Sequence, residues 1–327
     1  MANNSSVRPK KKQVRKNNSS KSSSKVIFSK EQEKEELLFK MALGLIEENK
    51  IKEAEDILLQ ITENGSNNAL PYINLSTLYI NSDRKEKVIP LLKEGIKNSP
   101  NQPILYTFLG EFQLNNKQLA GAIASLHTAI SLNPSIIDSH IALGNAFFAQ
   151  GEFDAALKSY EKANQLEANS SRVHMHLGNV FREKGEFKIA LDAYSMSLEI
   201  EPNNAESHFN LGIFFMKTKE YEKAISAFYT SLKIGPELPI LHINLGSAFM
   251  LKKIPDAAYK CFDSAKILDP ENPEIFSHLG NASLDKGNED EAIQWHQKAL
   301  NKQPNNPFHY SNLASAYHRL KDLDSAI

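Results

Sequence analysis

Four histidines stand 34 residues apart, at His140, His174, His208 and His242. Imidazole is a common metal ligand and the usual general base near neutral pH, so the column invites a metal or a proton-transfer reading. Distance argues against it. Residues separated by one structural repeat lie about a helix diameter apart, about 10 Å, whereas a metal needs its nitrogens at about 2 Å. His174 and His176 are close in sequence but diverge on a helix. The chain has no HExxH, no paired cysteines, no phosphate-cradling glycine loop and no Gly-x-Ser-x-Gly. It offers no catalytic constellation and no ligand set for a cofactor or metal, and the four histidines read as packing residues.

The elements that carry them repeat in step. Leu-Gly occurs at Leu109-Gly110, Leu143-Gly144, Leu177-Gly178, Leu211-Gly212, Leu245-Gly246 and Leu279-Gly280, always 34 residues on. The same step reaches Leu313-Ala314 forwards, and Leu75-Ser76 and Met41-Ala42 backwards. With the pair at positions 7 and 8, repeats start at Glu35, Ala69, Pro103, Ile137, Ser171, Ala205, Pro239, Pro273 and Pro307. A fixed period of this size marks a stacked array.

Positions 4, 7, 8 and 11 share one face of a helix, and positions 20, 24 and 27 share a face of a second. Position 20 is Ala in all but one repeat, position 24 is large from Leu58 to Phe262, and position 32 is often Pro. A short polar turn such as "AQGEF" (149–153) separates the two helices, and Pro at 32 ends the second. Each repeat is therefore a helix hairpin. Small residues at 8 and 20 let the axes approach. Gly costs about 1 kcal/mol in a helix, less than the roughly 1.5–3 kcal/mol from burying one large apolar side chain. Pro90 falls inside the second helix of repeat two and predicts a kink there.

This pattern resembles the tetratricopeptide repeat family over residues 35–327. The resemblance implies an all-α fold: a right-handed superhelical solenoid of about eight and a half 34-residue helix-turn-helix repeats. First helices would line a concave groove and second helices would form the outer face. The domain division is a basic tail over 1–30 and the solenoid over 31–327.

Helix angle places positions 2, 6, 9 and 13 opposite the packing face. Along the array they present Asn74, Asn145, His176, Asn179, Asn210, Asn244, Asn281 and Asn312. An amide both donates and accepts, so such a ladder can hold the backbone of an extended peptide without reading its side chains. The arrays of the glycosyltransferase that adds N-acetylglucosamine to Ser and Thr look similar here, with Asn ahead of Leu-Gly or Leu-Ala. Asn74, Asn210, Asn244 and Asn312 match that position, whereas Phe108, Ala142, His176 and His278 break it. Carboxylate-clamp members of the family set Lys and Arg beside such Asn residues. Here Lys40, Arg172, Lys217 and Arg319 are scattered over distant repeats, which disfavours that reading. Ile141, Phe148, Met175, Phe209, Met216, Ile243 and Met250 run nearby and read as packing between neighbouring first helices.

Charge is uneven. The 327 residues carry 38 basic and 39 acidic groups, and nine of the basic ones lie in 1–30 with no acid. The remainder is thus acidic, which disfavours nucleic acid as a partner except weakly through the tail. The Ser-, Asn- and Lys-rich tail has little to bury and reads as disordered. Its "PKKKQVRK" is similar to a nuclear import signal, and such basic, Asn-rich leaders resemble those of cyanobacterial repeat proteins. The single Cys261 fits a reducing compartment. With no membrane-length apolar run, the reading is cytoplasmic. The ninth repeat stops at Ala326-Ile327, which leaves Leu313, Tyr317 and Leu323 short of a partner. This predicts self-association there, or a longer chain.

The functional expectation is a non-catalytic scaffold that binds an extended or helical protein segment. The alternative is the substrate-recognition arm of a protein glycosyltransferase, sulfotransferase or methyltransferase whose catalytic domain lies outside these residues.

Overall fold

A computed structural model describes residues 19–320. The described residues are helical throughout apart from turns, with seventeen α-helices, and they divide into two units, Met1–Ser139 and His140–Ile327. The first unit holds α1 (Ser19–Glu47), α2 (Ile51–Glu63), α3 (Ala69–Asn81), α4 (Val88–Asn98), α5 (Pro103–Asn115) and α6 (Leu119–Leu132). Next come α7 (Ile137–Gln150), α8 (Phe153–Leu166), α9 (Ser171–Lys184), α10 (Phe187–Ile200), α11 (Ala205–Lys217) and α12 (Tyr221–Ile234). The chain continues with α13 (Pro239–Leu251), α14 (Pro255–Leu268), α15 (Pro273–Lys286), α16 (Glu289–Lys302) and α17 (Pro307–Leu320). Odd-numbered helices are the first helices of the expected hairpins, and even-numbered ones are the second.

The tail expected to be disordered lies partly outside the described residues. From Ser19 onward the backbone is already helical, ahead of the boundary placed at residue 30. A helix nucleated over "EKEELLF" extends backwards at little cost, one hydrogen bond per residue fixed. The end of the ninth repeat, with Leu323, also lies outside the described residues.

The helix starts follow local chemistry. Pro occupies the first turn of α5, α13, α14 and α15, where its missing N–H has no partner to lose. Asn68, Asn204 and Asn272 cap α3, α11 and α15 by accepting from Leu70, Ser207 and Glu274 N–H. Every hairpin turn from repeat one to repeat eight puts position 15 in the left-handed region. Gly151, Gly185 and Gly287 do so at φ near 80°, and Asn49, Asp83, Lys117, Lys219 and Lys253 at φ of 57–63°. Pro90 does not fall in the helix interior, where the kink is predicted. A 3₁₀ turn over Lys85–Lys87 delays the helix, so that α4 begins at Val88 and Pro90 falls in its first turn.

Packing within each hairpin is set by positions 8 and 24. Tyr160, Tyr194, Phe228, Phe262 and His296 lie over Gly144, Gly178, Gly212, Gly246 and Gly280. A Cβ on any of these glycines would sit 2.4–2.7 Å from a ring atom. In the second unit, first helices also touch in succession, α9 with α11, α11 with α13, α13 with α15 and α15 with α17. Second helices meet the next first helix at small polar pairs, such as Ser197 Oγ with Ser207 Oγ at 2.7 Å. Ion pairs at the turns join repeats as well: Lys184 to Asp154 at 2.6 Å, Lys286 to Asp256 at 3.3 Å, and Lys252 to Glu222. The outcome is paired helix-turn-helix packing in one register.

Candidate functional site: the first-helix strip

The histidine column resolves into loop fasteners. His174 and His208 donate from Nε2 to the Ala168 and Pro202 carbonyls at 3.2 and 3.0 Å, and His242 Nε2 lies 2.8 Å from Glu237 Oε1. His140 and His242 are buried. Among the described residues no cluster of His, Cys, Asp or Glu could hold a metal.

The Asn strip is not a set of equivalent amides. At position 9, Asn145 accepts from the Tyr160 hydroxyl at 2.6 Å and Asn179 from the Tyr194 hydroxyl at 2.7 Å. Their amide N–H groups are the part left for a ligand. At position 6 the polarity reverses. Asn74 and Asn244 donate to the carbonyls of Leu70 and Ile240, one turn back, at 2.9 and 2.8 Å, leaving the amide oxygen. Asn210 does the same with Glu206 at 3.0 Å, but it is only 8% exposed, with its nitrogen 3.4 Å from Met175 Sδ. The expected ladder therefore has a gap at Asn210, because position 6 also meets the preceding first helix. Asn281 is exposed and Asn312 half-buried. Asn74 lies in the first unit; the other seven residues lie in the second.

His176 stacks on Tyr160 of the preceding repeat, with centroids 5.1 Å apart and planes 3° apart, and His278 stacks on Phe262 at 4.8 Å. Burial, helped by the Arg172 charge, pushes the His176 imidazole down to about 4. Burial also lowers His278, against the pull of Glu274. Both present neutral rings at pH 7 and bring no cation to the strip.

Two residues that the periodicity did not single out join it. Position 12 is apolar in most repeats, yet repeat five places Arg182 there, buried to 7%. Its Nε donates to Glu183 at 2.9 Å and one terminal nitrogen to the Tyr194 hydroxyl at 3.3 Å, so Asn179, Tyr194, Arg182 and Glu183 form one chain. Lys217 closes it on Glu183 at 2.8 Å. Burial alone would raise the Glu183 carboxyl, but bonds from Lys217 and Arg182 outweigh it and hold it below the usual range. The break in the position-12 column was the signal available in the sequence. Two of the scattered cations considered for a carboxylate clamp are likewise engaged by position 13 of the repeat before, Lys217 by Glu183 and Arg319 by Asp285 at 3.6 Å. Met175 and Ile141 are buried, and Phe209, Met216, Ile243 and Met250 pack against core clusters, as expected of inter-helix packing.

Among the described residues no helix is long and apolar enough to cross a membrane. The family described as TPR repeat matches residues 144–185, 178–219 and 280–321, and a tetratricopeptide repeat profile matches 205–237. No curated protein matches the sequence. Among solved structures, a chain of the APC/C hetero-tetramer Cut9-Hcn1 aligns at a TM-score of 0.64 and 19% identity, covering 80% of this chain and 52% of that one. A tetratricopeptide repeat protein from Parabacteroides merdae aligns at 0.57 and 16%, covering 75% and 97%. PilF of Pseudomonas aeruginosa aligns at 0.53 and 23%, covering 58% and 86%. This chain spans about half the length of the Cut9-Hcn1 chain it matches. At such identities the likeness speaks for the fold, and it agrees with hairpins in a 34-residue register, Gly beneath a ring and a left-handed turn residue: over residues 144–237 and 280–321 the chain carries tetratricopeptide repeats.

Proposed function

We propose that the second unit is a non-catalytic scaffold that binds an extended segment of another protein along its first-helix strip. The carrying observation is the succession of α9, α11, α13, α15 and α17, which gathers side chains 34 residues apart onto neighbouring helices. Donors from Asn145 and Asn179 suit backbone carbonyls of the segment, the Asn244 oxygen suits a backbone N–H, and Asn281 and Asn312 extend the strip. His176 supplies a neutral wall. Asn210, buried on Met175, holds the strip together and does not face a ligand.

Selection of binders from a displayed peptide library tests this reading. Asn244→Ala with Asn281→Ala removes two strip amides and no tyrosine's acceptor. The double variant is expected to weaken selected peptides by about 1 kcal/mol, roughly fivefold in Kd, with an unchanged melting temperature. Equal affinity would take the strip out of consideration.

A further inference from the structure

Away from the strip, the 34-residue pattern breaks at two adjacent places. Position 23 is small in repeats three to seven (Ser125, Ser159, Ala193, Ala227, Cys261), but repeat eight has Trp295, the chain's single tryptophan. Position 28 is apolar in most repeats (Ile96, Ile130, Leu198, Leu232, Leu300) and polar at Thr62 and Asn164, but only repeat seven has a charge there, Lys266. These two exceptions face each other across α14 and α16. The Lys266 ammonium lies 5.0 Å from the Trp295 ring centroid and that of Lys298 4.2 Å. Phe276 stacks on the indole at 5.9 Å with planes 12° apart. Between the helices is a concavity of about 630 Å³, with Ile267, Pro270 and Lys302 at its margin. That volume admits one large side chain and its neighbours.

Two of the three lysines are balanced in place. Asp263 engages Lys266 and Glu271 engages Lys302. Lys298 has no carboxylate partner among the described residues, although it shares one ring with a second ammonium. Lys266 is already offset by Asp263, so Lys298 is the ammonium over this ring that an incoming anion would pair with. Ile267, 73% exposed, adds an apolar margin.

We propose that this cleft is a second docking site, separate from the first-helix strip, for an acidic peptide segment of a partner protein in which an aromatic or aliphatic side chain is flanked by carboxylates. The side chain seats between Ile267 and Pro270 beside Trp295, and a carboxylate pairs with Lys298. A nucleobase fits less well, because the indole already carries a stacked ring and two ammonium groups.

The single tryptophan makes the test direct, since indole fluorescence reports on this cleft alone. The full chain is titrated with acetyl-Glu-Phe-Glu-amide, acetyl-Lys-Phe-Lys-amide, inorganic phosphate and a short single-stranded oligonucleotide. A saturable change with the acidic peptide alone is expected. Lys298→Glu, at an exposed site, should weaken it at least about tenfold with unaltered circular dichroism. The proposal is overturned by no saturable change, by an equal response to the basic peptide, or by an acidic response that Lys298→Glu leaves intact. Saturation by phosphate at matching concentrations would reduce the cleft to an anion site, and a tighter oligonucleotide response would replace the peptide by nucleic acid; either outcome overturns it.

Discussion

Repeats two and six build the same helix crossing with different parts. In repeat six Phe228 lies over Gly212, and a Cβ there would come within 2.4 Å of the ring. In repeat two the corresponding pair is Leu92 and Ser76, both fully buried. Every described repeat with a ring at position 24 has Gly at position 8, whereas repeats with Leu at 24 accept Ala42, Ser76 or Gly110. Beneath a ring only hydrogen fits, and under Leu126 a Cβ on Gly110 would be as tight, at 2.6 Å. A branched aliphatic can tolerate a small side chain, as over Ala42 and Ser76, at the expense in repeat two of a buried Ser76 hydroxyl with no partner among the described residues.

The largest expected effect comes from the repeat that strains this scheme. His296 occupies the ring slot over Gly280, fully buried, with neither ring nitrogen bonded. Burial first, and the nearby His309 second, push its imidazole from an ordinary 6.5 down to about 4. Below pH 6.5 the unfolded chain takes up the proton before the folded one. The stabilising difference is therefore complete above that pH and is lost on acidification towards 4. The loss is on the order of 3 kcal/mol. His296→Phe should flatten this part of the pH profile of urea midpoints and raise stability at neutral pH; an unchanged profile would show that the slot is wetter than the structure has it. His176 contributes in the same direction and stays in the variant.

Next is the ring–glycine pair itself. Gly212→Ala should cost about 1–3 kcal/mol by overpacking against Phe228. In the Phe228→Leu background, which imitates repeats one and two, the same change should cost about 1 kcal/mol less, and thermal melts of the four proteins measure that coupling. Additivity would break the comparison. The reverse repair is smaller: Ser76→Ala should gain about 1 kcal/mol by removing an unbonded buried hydroxyl. Smallest is the turn. Lys219 adopts φ of 63° where Gly185 holds φ of 80° at the equivalent position, so Lys219→Gly should gain about 0.5–1 kcal/mol in the melting equilibrium.

Much of the fold was legible because it depends on neighbours a fixed number of residues apart. The repeat starts, the hairpins and the small-under-large crossing all follow from periods of 3.6 and 34. Pro90 misled because a kink and a delayed start satisfy the same missing N–H, and the choice fell to the 3₁₀ turn at Lys85–Lys87. The strip was legible as a set of positions but not as chemistry. Asn145 and Asn179 coincide with Tyr at position 24, fifteen residues on, while Ile213 and Ser247 coincide with Phe there. That pairing is visible in the sequence once the hydroxyl-to-amide bond is known. Arg182 showed only as one polar residue in a mostly apolar column.

The sequence by itself determined which residues share a helix face and which crossings must be tight, because both are local consequences of helix geometry and side-chain size. Only the tertiary structure decided how each polar atom on those faces is used. Asn210 goes to Met175, Asn179 to a tyrosine, and Lys298 is left without a carboxylate among the described residues, since each depends on distances between helices that no single period encodes.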